Sequence, residues 1–210
     1  MPYLPSSRRG FMGTLAALAG LATLDVDDAL AAPSSSEWDM SWLKEIKGKH
    51  RQVFDFGDMY VLHVVKNWLD AHETVYQLRF PEVYAIVGIG GSAFPINASD
   101  ELYAKYPIGK LWEVTDPATD QPATRNPFLG EDRADGGAKV RPLQARGVKF
   151  WQCNNALRGI SGRIARAIDG STDAVYADLR AHLNPGVILV PAHTMLIGLV
   201  QERGCAYESL

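Results

Sequence analysis

Apolar residues in this chain fall into short unbroken runs and longer stretches at helical spacing, and the two kinds alternate. Val53-Phe54-Asp55-Phe56 reads as a short strand closed by Gly57-Asp58. Asp58 is a suitable N-cap, and Met59 to Ala71 then reads as a helix with Val61, Val65 and Trp68 on one side. Val83 to Ile89 is a continuous apolar run with a β-branched bias, as expected of a strand buried in a parallel sheet. It ends in Gly90-Gly91-Ser92. Asn97 to Tyr106 is a second predicted helix, with Asp100 and Glu101 in its first turn.

The pattern then breaks. Pro107 to Ala138 carries four prolines and four glycines with few apolar residues, and it reads as a structureless insertion. A stretch of that length inside a compact domain is a lid, a binding loop, an oligomer arm or a floppy insertion. Regular structure resumes at Val140. Val148 to Cys153 is a strand, and Leu157, Ile160, Ile164 and Ile168 then recur at helical spacing. A helix over Asp173 to Leu183 stops at Asn184-Pro185-Gly186. Val187 to Val190 is a buried strand, Met195 to Glu202 a helix, and Cys205-Ala206-Tyr207 a last short strand. Strands alternating with helices imply an α/β fold: a three-layer, mostly parallel sheet of about five strands flanked by helices.

The N-terminus changes the expected location. Ser7-Arg8-Arg9-Gly10-Phe11-Met12 precedes an apolar run from Gly13 to Leu24, which is too short for a stable membrane anchor. Ala29-Leu30-Ala31 offers a small-x-small cleavage site. Residues 1–31 thus read as a twin-arginine signal peptide, and 32–210 as one exported domain, periplasmic or secreted. The twin-arginine machinery carries folded cargo, so a ligand acquired before export is compatible with this route; which cofactor, if any, is unknown from sequence.

The net charge of −3 and the absence of a basic stripe with interleaved aromatics argue against nucleic acid as a partner. No second long apolar run follows the signal, so the mature form is not expected to span a membrane. Two cysteines, Cys153 and Cys205, exclude a disulfide-built scaffold and a C-x-x-C redox motif. The Gly-x-Ser-x-Gly elbow, P-loop and dinucleotide fingerprint are missing, so no enzyme class is assigned. No metal site is read from the spacing.

Three segments resemble the DsrE/DsrF-like sulfur-relay superfamily: Gly-Val-x-Phe-x-x-Cys-Asn at 147–154, Pro-Gly-Val-x-x-Val-Pro-Ala at 185–192, and Gln201-Glu202-Arg203-Gly204-Cys205-Ala206-Tyr207. The resemblance implies a small α/β domain that assembles into dimers, trimers or hexamers. It also implies that a cysteine between strand and helix passes sulfur as a persulfide, a role that falls here on Cys153 alone. The export signal and the 107–138 insertion lie outside that pattern.

Independently of the resemblance, residues that follow parallel strands share one sheet edge. Asp58, Gly90-Gly91-Ser92, Cys153-Asn154-Asn155 and His193-Thr194 are therefore expected to converge on the carboxyl edge, where open α/β sheets bind ligands. Cys153 at a helix start feels amide dipoles that favour a thiolate, although an isolated cysteine at a strand end is also a common packing residue. His193 is a base for that thiol, a metal or haem ligand, or a helix cap facing water. Gly90, Gly91 and Ser92 present amides to an anion or form a plain turn. Asn154, Asn155 and Thr194 complete the ligand-binding candidates. His63 and His72 are not at a ligand spacing, and His50 is expected to be exposed. Cys153 ends one strand and Cys205 begins another, so they lie at opposite edges, beyond the about 7 Å that a disulfide spans.

The reading that results is a carrier of sulfur species, or a small-ligand binder, acting through Cys153. Its rival is a non-enzymatic periplasmic cofactor- or ligand-binding homo-oligomer in which Cys153 is structural.

Overall fold

A computed structural model describes residues 38–130 and 137–210 and keeps the alternation of strand and helix. In chain order these residues form β1 (His50–Phe56), α1 (Leu62–Tyr76), β2 (Val83–Ile89), α2 (Asp100–Lys105), α3 (Ile108–Leu111), β3 (Thr115–Asp116) and β4 (Gln121–Pro122). There follow α4 (Val140–Ala145), β5 (Lys149–Cys153), α5 (Asn154–Ile168), α6 (Thr172–Ala181), β6 (Val187–Val190), α7 (His193–Glu202) and β7 (Ala206–Ser209). The expected export signal and its cleavage site lie outside the described residues. No helix among the described residues is long and apolar enough to cross a membrane.

Five of the strands make one parallel sheet in the order β6-β5-β2-β1-β7, so the fold is α/β, as the sequence predicts. β2 occupies the centre and is buried at every position, which is why its sequence is apolar without alternation. β3 and β4 form a separate small antiparallel pair.

Crossover handedness decides which face each helix covers. The connections β1 to β2, β2 to β5 and β5 to β6 all step the same way across the sheet. Right-handed crossovers therefore lay their helices on one face. There Val65 and Leu69 of α1 and Leu157, Ile160 and Ile164 of α5 share a core with Phe54, Val87, Ile89 and Phe150. The last connection runs back from β6 to the far edge at β7, which places α7 on the opposite face. Leu196 and Val200 of α7 are buried there, on the side of Val53, Ile86 and Trp151. Trp42, in the segment before β1, is buried with its ring centroid 6.2 Å from that of Trp151.

Several local expectations are corrected. Asp58 does not cap α1: its carboxylate accepts from the Tyr60 amide at 2.9 Å, and the helix starts later, at Leu62, without a side-chain cap. α1 also runs on to Tyr76 and ends at Gln77 in the left-handed conformation. The predicted helix over 97–106 shortens to Asp100–Lys105, because Ser99 caps it and Asn97 turns into the core. His50 is half-buried, with its ring 4.8 Å from that of His72.

The Pro107–Ala138 segment is not structureless. Residues 131–136 lie outside the described residues, but the rest carries α3, β3 and β4 and sends Val114, Ala123, Phe128 and Leu129 into the main core. Its few apolar residues are nearly all inside, so low apolar content misled the reading. Asn126 ties the segment down: its amide donates to the carbonyls of Ile96 and Ala98 at 3.1 and 2.7 Å, and its carbonyl accepts from Phe128 N–H at 2.7 Å. Asn126→Ala strands these buried backbone groups and is expected to cost about 2 kcal/mol, read as a lower denaturant midpoint with an unchanged slope.

Candidate functional site

β5 ends at Cys153 and passes straight into α5, while neighbouring β6 passes through Pro191 and Ala192 into α7. The two helices leave for opposite faces of the sheet. The point between β5 and β6 is thus the switch at which open α/β sheets have a crevice at their carboxyl edge. Cys153 sits in it.

The sulfur of Cys153 meets both helix starts. It accepts the Ala156 amide of α5 at 3.4 Å and the His193 amide of α7 at 3.3 Å. Cys153 is the N-cap residue of α5 in extended conformation, whereas the N-cap of α7 is Ala192, which has no side-chain group to offer. One sulfur therefore satisfies an orphan amide in each of two helices. Both amides carry the positive end of a helix dipole, an environment that favours negative charge. Cys153 itself is buried, at 6 % exposure.

His193 meets the thiol through its backbone only. The indole of Trp151 can only donate, and its N–H lies 3.0 Å from His193 Nδ1, so that nitrogen accepts. Nε2 then carries the proton and donates to Asp55 Oδ1 at 2.8 Å. Asp55 Oδ2 accepts from the Tyr207 hydroxyl at 2.9 Å. With both ring nitrogens committed, His193 has no lone pair for the thiol, and the expected base role has no geometric support. The ring is neither a cap nor turned to water.

Four elements meet in this clamp because of register. Asp55 of β1, Gly88 of β2 and Trp151 of β5 are directly paired across the sheet. All three therefore present the same face, the one α7 covers. Gly88 makes it possible: a Cβ there would fall 2.5 Å from Trp151 Cζ2 and 3.2 Å from His193 Cε1.

The other expected residues do reach the same edge. A Cβ on Gly90 would lie 3.9 Å from the His193 ring, and one on Gly91 would lie 3.8 Å from the Ala156 Cβ, so the turn passes beside the cysteine. Both are ordinary contacts, and neither residue has a positive φ, so packing does not require glycine at either position. Gln152 anchors the turn by donating to the Gly90 carbonyl at 2.7 Å. The Ser92 hydroxyl is spent on the Gly57 carbonyl at 2.6 Å, and the Asn154 carbonyl on the Tyr176 hydroxyl at 2.6 Å. Asn155 and Thr194 are exposed in the first turns of α5 and α7. Asp58 lies beside the group, its amide 3.3 Å from the Leu210 carbonyl.

Sequence reading missed Asp55, Gly88, Trp151 and Tyr207. One signal was present: an aspartate between two phenylalanines in a strand, and a glycine in the middle of an apolar run. Each breaks a buried pattern and so asks for a partner.

Cys205 precedes β7 at the amino edge, while Cys153 ends β5 at the carboxyl edge, and both thiols are free. Burial pushes the Cys205 thiol up to about 11, against the pull of the nearby Arg51 charge. Among the described residues no group of three or more His, Cys, Asp or Glu side chains is placed to hold a metal ion. A cavity of 770 Å³ opens at the amino edge, far from Cys153, between α1 and the end of α4. Its charges are paired internally, Arg146 with Asp70 at 2.7 Å and Lys66 with Asp70 at 2.6 Å. Burial works to raise the Asp70 carboxyl, but these two cations outweigh it and hold the group below the usual range.

No family model matches this chain, and no curated protein matches it. Among solved structures it is similar to MTH1491, a protein of unknown function from Methanobacterium thermoautotrophicum. The identity is 19% and the TM-score 0.37, over 77% of this chain and 99% of that one. That likeness is too slight to bear on function.

Proposed function

We propose that this chain handles a sulfur species, or holds a small anionic ligand, at the carboxyl edge of its sheet, with Cys153 as the acceptor. The observation that carries this reading is the sulfur at the switch point, taking one amide hydrogen bond from each of two diverging helices. Two helix-start amides aimed at one atom are an anion-favouring arrangement, and the nucleophilic form of a cysteine is its anion. The Gly90-Gly91 turn beside it supports approach of a ligand, since packing gives no other reason for two glycines.

Carrier chemistry fits better than acid–base catalysis because His193 has no free nitrogen. In a sulfur transfer the Cys153 thiolate attacks the outer sulfur of a donor persulfide. The donor's sulfur–sulfur bond breaks, its inner sulfur leaves as a thiolate, and Cys153 becomes the persulfide with no net oxidation. The protein does this as a DsrE-like chain exported by the twin-arginine machinery, working in the periplasm as a homo-oligomer.

At pH 8 a small alkylating reagent is expected to label Cys153 and spare Cys205, whose thiol stays protonated well above that pH. Intact mass of the natively exported protein should then show a chain starting near Ala32 and added sulfur that Cys153→Ala abolishes. A Cys153 inert in the folded protein, with no sulfur adduct, overturns the proposal. One observation favours a rival reading: the thiol is buried and caps two helices. In that case Cys153 is structural in a ligand-binding oligomer, and Cys153→Ser keeps full ligand binding.

A further inference from the structure

We infer that Asp55 and Tyr207, neither of which touches the sulfur, are positioning residues that set the state of Cys153 through the imidazole of His193. The inference rests on the reading of Cys153 as the working thiol, and it adds the residues that control it.

The start of α7 has no side-chain cap, since Ala192 holds the cap position. What holds its first residue instead is the ring of His193, gripped on both nitrogens. Trp151 fixes Nδ1 from β5, and Asp55 fixes Nε2 from β1. Fixing the ring fixes the backbone of the same residue, and its amide is the second donor to the Cys153 sulfur. Tyr207 completes the arrangement from β7. Its hydroxyl occupies the other oxygen of Asp55, so the carboxylate cannot turn away from the imidazole.

This chain of bonds spans the sheet from β5 to its far edge. The chain end supports it as well: the Leu210 amide donates to the Asp55 carbonyl at 2.9 Å, and the Leu210 carbonyl accepts from Gly57 at 2.6 Å. Tyr207 is the outermost member, 45 % exposed, on the last strand. The state of the thiol is thereby tied to the seating of the C-terminal strand.

The test uses the full chain in a Cys205→Ser background, so that one thiol reports. Thiolate absorbance near 240 nm at pH 8 and the rate of iodoacetamide labelling are measured in wild type, Asp55→Leu, Asp55→Asn and Tyr207→Phe. Asp55→Leu should lower both about tenfold, the scale of one amide hydrogen bond to a charged group. Asp55→Asn, whose amide oxygen can still accept from Nε2, should stay within about threefold of wild type. Tyr207→Phe should fall between them.

A merely structural role predicts otherwise, because a loosened fold exposes Cys153 and speeds its labelling. An Asp55→Leu protein with unchanged absorbance, or with faster labelling, overturns the inference. Should Asp55→Leu fail to fold, Tyr207→Phe decides by the same two readings. Hydrogen exchange of the His193 amide separates this inference from the functional reading. If wild-type Cys153 shows no thiolate, the functional reading falls. The positioning role then still requires that His193, and not Ala156, lose protection in Tyr207→Phe, and equal protection overturns it.

Discussion

Trp151→Ala should destabilise the protein by about 4 kcal/mol, because a fully buried indole is removed from a site whose walls are a β-sheet and cannot collapse. For a chain of this size that is a fall in melting temperature of about 10 °C. The loss has two parts that a second variant separates. Trp151→Phe restores most of the volume but not the N–H, so His193 Nδ1 is left without its donor. It should recover more than half of the stability while leaving the His193 ring gripped on one nitrogen only. If thermal unfolding showed Trp151→Ala within about 1 kcal/mol of wild type, the indole could not be central to this face of the core.

Gly88→Ala should be nearly as harmful, at about 3 kcal/mol, although it adds a single methyl group. The new Cβ would stand 2.5 and 2.8 Å from two atoms of the Trp151 ring. That ring is held by Trp42 on one side and by its bond to His193, so it cannot swing aside cheaply. Gly88 lies in the middle of a strand, where alanine would ordinarily be the better residue. The predicted sign is therefore opposite to the usual one, which makes denaturant unfolding of Gly88→Ala a direct test of the packing. A neutral or stabilising result would show that the indole and imidazole are not where β2 requires them to be. Combined with Trp151→Ala, the glycine variant should lose most of its penalty, since the clashing ring is gone.

Strand identity was readable where burial leaves a pattern. Val83–Ile89 was read with its observed limits because a strand buried in a parallel sheet is apolar throughout. Val187–Val190 was also read with its limits, but it is an edge strand, fully buried only at Val190 and not the buried strand expected. Helix starts were read unevenly: the helix capped by Ser171 was placed to within one residue, but the one capped by Ser99 was begun three residues early, at Asn97. α1 and α7 begin at Leu62 and His193 without a side-chain cap, and their boundaries are set by what they pack against. The insertion was misread for a related reason: Asn126 and four apolar side chains anchor it through partners distant in sequence.

The placement of Cys153 at a carboxyl edge beside His193 and the Gly90-Gly91 turn followed from the sequence alone, because strand order along the chain fixes which loops share an edge. Which face of the sheet α7 would take did not follow. It depends on β7 pairing at the far edge beside β1, a long-range choice that reverses the direction of the last crossover. That reversal brings the α7 amide to the sulfur, and parallel register then sets Asp55, Gly88 and Trp151 side by side beneath His193. Local pattern determines strands and helices through burial and backbone preference. Only tertiary pairing joins residues 55, 151, 193 and 207, since no local interaction spans such separations.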